Sequence, residues 1–252
     1  LDLLKNSGIY VEVNAAQLKN ILSRDSAVKS RLDMLEKALD MNVSDKDRAQ
    51  FIAMYLCEVY DEPNDRMEII SFLLSTINTL SSAAIEKYLT SCTIDSEIKP
   101  DIVRKIFSME INRSFLRNTL GNYIISLSDE FKVKCAIVRI LSEAGLQAGT
   151  NACIRMLMSI KLSVDQRITL YRELKYSGLD QSELLSSYLT AAGAGFDSQI
   201  FGEILSGTTG VSVDVVSRYT LYVPDYGATK ISVVKSMLEK CGSKADDRFG
   251  VG

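Results

Sequence analysis

Along most of the chain, apolar residues recur at intervals of three and four, the period of a helix that buries one face. The pattern predicts helices over about 15–23, 26–40, 45–60, 65–79, 82–91, 100–109, 113–126, 129–143, 150–160, 164–176, 181–192, 198–206, 213–222 and 230–241. Only the short alternating stretch at residues 8–13 reads as extended. The β-branched run from Val211 to Val216 leaves room for a strand, but no Asn-Gly type turn joins it to a second one. The predicted fold is all-α: a multi-helix bundle, or a right-handed, repeat-like array of α-hairpins, with about 12–14 short helices.

Helix starts are marked by side chains that take free backbone N–H groups. Ser44-x-x-Asp47, Ser163-x-x-Gln166 and Asp180-x-x-Glu183 have the spacing of a capping box or its variant. Gly178, Gly193, Gly207 and Gly242 stand where left-handed C-terminal caps are expected. From residue 128 this punctuation falls at intervals of seventeen residues, with an apolar residue followed by Ser or Asp at Leu162-Ser163, Leu179-Asp180, Phe196-Asp197 and Val213-Asp214. Two such intervals make a helical hairpin near the length of a tetratricopeptide-type repeat. The Trp, Gly, Tyr and Pro positions of that repeat are absent, so a stacked array and an irregular bundle both remain open.

Composition narrows the chemistry. A chain of 252 residues, 46% hydrophobic and 24% charged, can bury a core without disulfides or metals. It begins at Leu1 and ends in Gly-Val-Gly, which reads as a fragment of a longer protein. No apolar run reaches membrane-spanning length, so no membrane partner is expected. Cys57, Cys92, Cys135, Cys153 and Cys241 are odd in number and form no Cys-x-x-Cys pair. They read as buried hydrophobes in a reducing, cytoplasmic compartment. Histidine is absent. That excludes His-activated nucleophiles, His-ligated metals and imidazole general bases.

The densest polar stretch is CEVYDEPNDRMEII, residues 57–70, with five carboxylates. Asp61, Glu62 and Asp65 have the spacing by which all-helical isoprenoid synthases gather magnesium, and a magnesium-dependent helical enzyme is the least favoured reading. Pro63 argues against acids on successive turns of one helix, because it disfavours helical geometry at Glu62. A corner is expected instead: Tyr60 ending one helix, and Asp65-x-x-Glu68 opening the next. The Ser26-x-x-Lys29 and Ser232-x-x-Lys235 spacings lack the companion motifs of Ser-Lys enzymes, and Gly193-Ala-Gly195 lacks the setting of a nucleotide loop. No cofactor is expected, and no catalytic or metal residue is assigned.

Charge is segmental. Residues 1–100 hold 11 basic and 16 acidic side chains, 101–177 hold 12 and 7, and 178–252 hold 6 and 9. The expected domains are an N-terminal bundle over 1–100, a helical array over 101–242 and a flexible tail over 243–252. Arg104, Lys105, Arg113, Arg117, Lys132, Lys134 and Arg139 are the candidate basic stripe, with Tyr222 and Tyr226 as further contact residues near the end. Packing against the last helix is the expected use of Tyr219 and Tyr222. The expected function is a helical protein–protein interaction module, an adaptor or regulatory scaffold, docking an acidic helix or tail. The alternative is a nucleic-acid-binding helical protein of nucleocapsid type that uses the same stripe.

Overall fold

The computed structural model describes residues 27–39, 44–59, 61–78, 80–109, 111, 116–126, 128–174, 178–191, 195–223 and 228–242. Among them are thirteen helices and no strands. In chain order these are α1 (Val28–Leu39), α2 (Asp45–Glu58), α3 (Pro63–Ser75), α4 (Ser82–Ser91), α5 (Lys99–Phe107), α6 (Thr119–Ile125) and α7 (Phe131–Glu143). Then follow α8 (Thr150–Leu157), α9 (Val164–Leu174), α10 (Gln181–Thr190), α11 (Ser198–Gly207), α12 (Val213–Tyr222) and α13 (Ala228–Gly242). The helical periodicity therefore carries through to structure, including at Val213–Val216, where the β-branched residues lie in α12. The expected elements at 8–13 and 15–23, and the tail at 243–252, lie outside the described residues.

Several helices bury two adjacent pairs of apolar residues one turn apart. α2 buries Phe51, Ile52, Tyr55 and Leu56; α3 buries Ile69, Ile70, Leu73 and Leu74; α10 buries Leu184, Leu185, Tyr188 and Leu189. Positions i, i+1, i+4 and i+5 form a stripe broad enough to face two neighbours at once. The packing follows from this.

The chain divides into two compact units. In the first, which holds α1–α5 and α7, α2 packs on α3 and α4, α1 on α3, α3 on α5, and α5 on α7. In the second, which holds α6 from Leu120 and α8–α13, α8 packs on α9 and α10, α9 on α11, α10 on α11 and α12, and α12 on α13. Contact with the next helix and the next but one is the neighbour pattern of stacked helical hairpins. Residue 100, where the sequence suggested a boundary, lies in α5 within the first unit.

The caps are mostly where their side chains predict. Ser44 Oγ accepts from the Asp47 N–H at 3.1 Å. Ser163 and Gln166 cap one another: the Gln166 N–H donates to Ser163 Oγ at 3.2 Å, and the Ser163 N–H to Gln166 Oε1 at 2.9 Å. Asp180 accepts from the N–H groups of Ser182 and Glu183 at 2.9 and 3.1 Å. Two details differ from expectation, the α12 cap and the glycines. α12 is capped by Ser212, which accepts from the Val215 N–H at 3.4 Å, and Asp214 sits in the first turn. Gly178 has the expected positive φ of 75°, Gly145 has one of 81° that was not expected, Gly193 lies outside the described residues, and Gly207 ends α11 as a helical residue. Thr208 caps that helix by donating its hydroxyl to the Ile204 carbonyl at 3.0 Å, which removes the need for a left-handed glycine.

Replacing Asp180 by Ala leaves two first-turn N–H groups of α10 without an acceptor. Its expected cost is about 1 kcal/mol, measured as a lower urea midpoint at unchanged slope.

Candidate functional site

The most organised chemistry in the molecule is a buried ionic latch that recurs at successive hairpin turns. A helix ends with carbonyls that have no intrahelical partner and carry partial negative charge. Arg66, in the first turns of α3, turns its guanidinium back onto the end of α2: it donates to the Leu56 carbonyl at 2.8 Å and to the Val59 carbonyl. Lys99 does the same for α4, with Leu89 O at 3.1 Å and Cys92 O at 2.6 Å. Lys230 repeats it for α12, with Thr220 O at 2.9 Å and Val223 O at 2.7 Å. Measured from the buried tyrosine near each helix end, Tyr55, Tyr88 or Tyr219, the accepting carbonyls are one and four residues on and the cation is eleven on.

The same spacing relates Tyr123 to Lys134 and Met156 to Arg167. Lys134 donates to the Ser126 carbonyl, and Arg167 donates to Leu157 O at 2.8 Å and Gly195 O at 2.7 Å. Gly195 is required there, because a Cβ would lie 2.2 Å from the Met158 carbonyl oxygen.

A carboxylate from the following turn completes the latch. Arg31 pairs with Asp61, Arg66 with Asp95, and Lys99 with Asp129, all at side chains at least nine-tenths buried. These acids lie thirty-four residues apart, and Asp61 and Asp95 close back onto the tyrosines. Tyr55 OH donates to Asp61 at 2.6 Å and Tyr88 OH to Asp95 at 2.9 Å. Burial, reinforced by the neighbouring carboxylates, raises both phenols above their ordinary range. Burial alone would lower the Arg66 guanidinium, but the hydrogen bond and charge of Asp95 outweigh it, so Arg66 stays charged. At α11 the ionic latch is replaced. Phe201, four residues after the N-cap like Arg66, Lys134 and Arg167, stacks on Tyr219 at 4.6 Å, and Phe196 stacks on Tyr188 at 5.3 Å.

This geometry decides the role of the acid-rich stretch. α3 begins at Pro63 itself, in the first helical position that tolerates a missing N–H, with Glu62 as N-cap and Asp65 in the first turn. The interhelical segment is thus four residues long, as predicted, but lies two residues earlier, and Pro63 belongs to the helix rather than to the corner. Asp61 is held by Arg31 and Tyr55, and Asp65 lies 3.5 Å from Arg31. Two of the three carboxylates of the magnesium reading, Asp61 and Asp65, therefore share a cation of the protein's own. A cleft of about 280 Å³ opens beside them, lined by Asp61, Glu62, Arg66, Asp95 and Glu97 among others. Among the described residues no group of three His, Cys, Asp or Glu side chains is placed to hold a metal. Burial pushes the Cys57 and Cys92 thiols up and Cys153 to about 12, which keeps them protonated and unreactive.

Of the basic candidates, Arg104, Lys105, Arg117, Lys132 and Arg139 are exposed, and Arg104 pairs with Asp101 at 2.6 Å. Lys132 and Arg139 are seven residues apart on α7, as a shared face requires. Lys134 is a correction: it is buried in the latch and unavailable to a partner. Tyr222 is 75% exposed rather than packed as expected, whereas Tyr219 is fully buried. Arg113 and Tyr226 lie outside the described residues. Cutting the sequence every seventeen residues does not reveal the latch; its signal is an apolar or tyrosine position followed eleven residues later by Arg or Lys. Comparison with protein-family models, curated proteins and solved structures returns no match. No described helix is long and apolar enough to cross a membrane.

Two outcomes test the latch. Arg66→Met strands Asp95 as a buried carboxylate and is expected to cost about 3–5 kcal/mol in urea unfolding, with Arg66→Met/Asp95→Leu recovering much of the loss. Lys134 has its pKa lowered to about 8, by burial first, with Asp129 opposing and Lys99 adding to the shift. Below pH 8 it is charged in both folded and unfolded chains. Between pH 8 and its ordinary value near 10.5 the unfolded chain binds the extra proton, so its contribution to stability rises with pH. Lys134→Met should remove that rise, seen as a flatter dependence of melting temperature on pH from 8 to about 10.

Proposed function

We propose that this chain is a helical protein–protein interaction module whose work is done on its surface, with an acidic helix or tail as the partner. The observation that carries the reading is the latch, because it takes the buried charge of the hairpin turns into helix ends and cross-turn pairs. Stacked hairpins of this kind hold extended surfaces in fixed register, which suits docking of a partner chain. The partner's sign is supported by the exposed Lys105, Arg117 and Lys132, none of which makes an ion pair among the described residues. Regulatory or scaffolding use follows from the same reading.

A nucleic-acid backbone would be drawn to the same cations, but the chain's net charge of −3 disfavours long-range attraction of a polyanion. Affinity capture from the native lysate, with mass spectrometry, separates the two. A specific protein should be retained at low salt and released at about 0.5 M salt, where the Debye length is a few ångströms. Lys105→Glu/Lys132→Glu should weaken its binding about tenfold, mainly through association rate. Retention unchanged by salt and by these substitutions rejects the basic surface as the dock. A mobility shift with a single-stranded oligonucleotide, and no retained protein, replaces this reading by the nucleic-acid one.

A further inference from the structure

The spacing of the latch calls for one more ion pair than the structure shows. Cation and carboxylate stand thirty residues apart in Arg31–Asp61 and Lys99–Asp129, and twenty-nine apart in Arg66–Asp95. Arg167 and Asp197 are also thirty apart, yet neither makes an ion pair among the described residues. The turn that carries the acid already lies against the cation, since Arg167 donates to the carbonyl of Gly195, two residues before Asp197.

Three groups at this turn have bonding capacity left over. Arg66 holds Asp95 with Nε and Nη2, whereas Arg167 makes its two bonds with Nη1 and keeps Nε buried without an acceptor. Asp197 caps α11 through Oδ1 alone, accepting from the Gln199 and Ile200 N–H groups at 2.8 and 3.4 Å, and its Oδ2 takes no hydrogen bond from a described residue. The Tyr188 hydroxyl accepts from the Asp197 N–H, but its own proton has only the Asp197 carbonyl, at 3.5 Å. Tyr55 and Tyr88 instead donate to latch carboxylates at 2.6 and 2.9 Å. A buried donor with no acceptor keeps its full desolvation cost, so one movement that satisfies all three groups is favoured.

What opposes the movement is the cap. α3, α5 and α7 follow turns whose acid is latched, and their N-caps, Glu62, Ile98 and Glu130, make no side-chain cap. α11 has its cap and an open latch. In α3 and α7 the latched acid stands one residue before the N-cap. Asp197 in that place makes Ser198 the N-cap, and serine is among the best residues for it. We infer that the start of α11 is a two-state switch. Asp197 either caps the helix, as here, or swings onto Arg167 Nε with the Tyr188 hydroxyl donating to it; Ser198 then takes over the cap and α11 begins one residue later. A ligand that prefers either state sets the balance between them.

The test is NMR of the full isotope-labelled chain, following the Arg167 Nε–H resonance and relaxation dispersion at the amides of Ser198 to Ile200. Asp197→Asn keeps a capping side chain and removes the carboxylate, which confines the turn to the state seen here. Ser198→Ala keeps the carboxylate and removes the alternative cap, which biases the turn the same way. Urea midpoints close to that of the unaltered chain are expected of both, because the cap in place is retained. The Nε–H resonance of the unaltered chain should lie downfield, as a carboxylate-bonded N–H does, and both substitutions should move it upfield and remove any dispersion. A resonance that neither substitution moves overturns the inference. So does one moved by Asp197→Asn alone, because loss of a charge at a distance suffices for that. Dispersion that persists in Asp197→Asn marks fraying of the helix end and also overturns it.

Discussion

The architecture depends on what happens to helix C-terminal carbonyls once hairpins stack. Each helix end carries about half a negative charge on groups that water would normally satisfy. Tight stacking excludes that water, so a cation must come from the protein. Here it comes from the start of the next helix, where an Arg or Lys eleven residues after the buried tyrosine can reach back across the turn. Because the cation would itself be costly to bury, a carboxylate from the following turn neutralises Arg66 and Lys99, whereas Arg167 is held by carbonyls alone. Lys99 shows the complete set: the Leu89 carbonyl of α4 and the Cys92 carbonyl of its C-cap, the Asp129 carboxylate at 2.8 Å, and the Tyr88 ring beneath its ammonium at 5.5 Å.

The place where the latch is absent shows that the demand can be met differently. In the α10–α11 hairpin the residue in the position of the cation is Phe201, which stands thirteen residues after Tyr188 rather than eleven. A file of aromatic rings, Tyr188, Phe196, Phe201 and Tyr219, fills the volume. The Tyr188 hydroxyl, without a latch carboxylate, accepts from the Asp197 N–H at 3.0 Å. Asp197 lies thirty-four residues after Ser163, in step with the latch acids, but caps α11 with its side chain instead. One register thus carries two solutions, an ionic one and an apolar one.

Helix positions were legible in the sequence because they are set by local signals: apolar spacing, a capping side chain at Ser163 or Asp180, and proline at a first helical position. The latch was not, for two physical reasons. The tyrosine positions advance by unequal steps from 55 to 88 to 123, so only the latch acids keep a fixed interval, and they stand among many other carboxylates. Besides, charge counts treat every Lys and Arg as surface. The excess of basic residues over 101–177 includes Lys134 and Arg167, both buried and committed to carbonyls, so the field outside that segment is weaker than its formal charge. The acid-rich corner was misleading in the same way: Asp61 looked like a ligand because its counter-charge, Arg31, is thirty residues distant in sequence.

The offset between each cation and its carboxylate also bears on how such a chain could grow. Arg66 serves the carbonyls of its own hairpin but the acid of the next, so the electrically neutral unit straddles the boundary between hairpins. A duplication that copies a helix pair from loop to loop still inserts one cation and one acid, each meeting its partner across the new junction. A break that ends the series leaves a cation at one edge and an acid at the other. Stacks built this way are polar objects, with chemically different ends, and successive hairpins can join them in only one order.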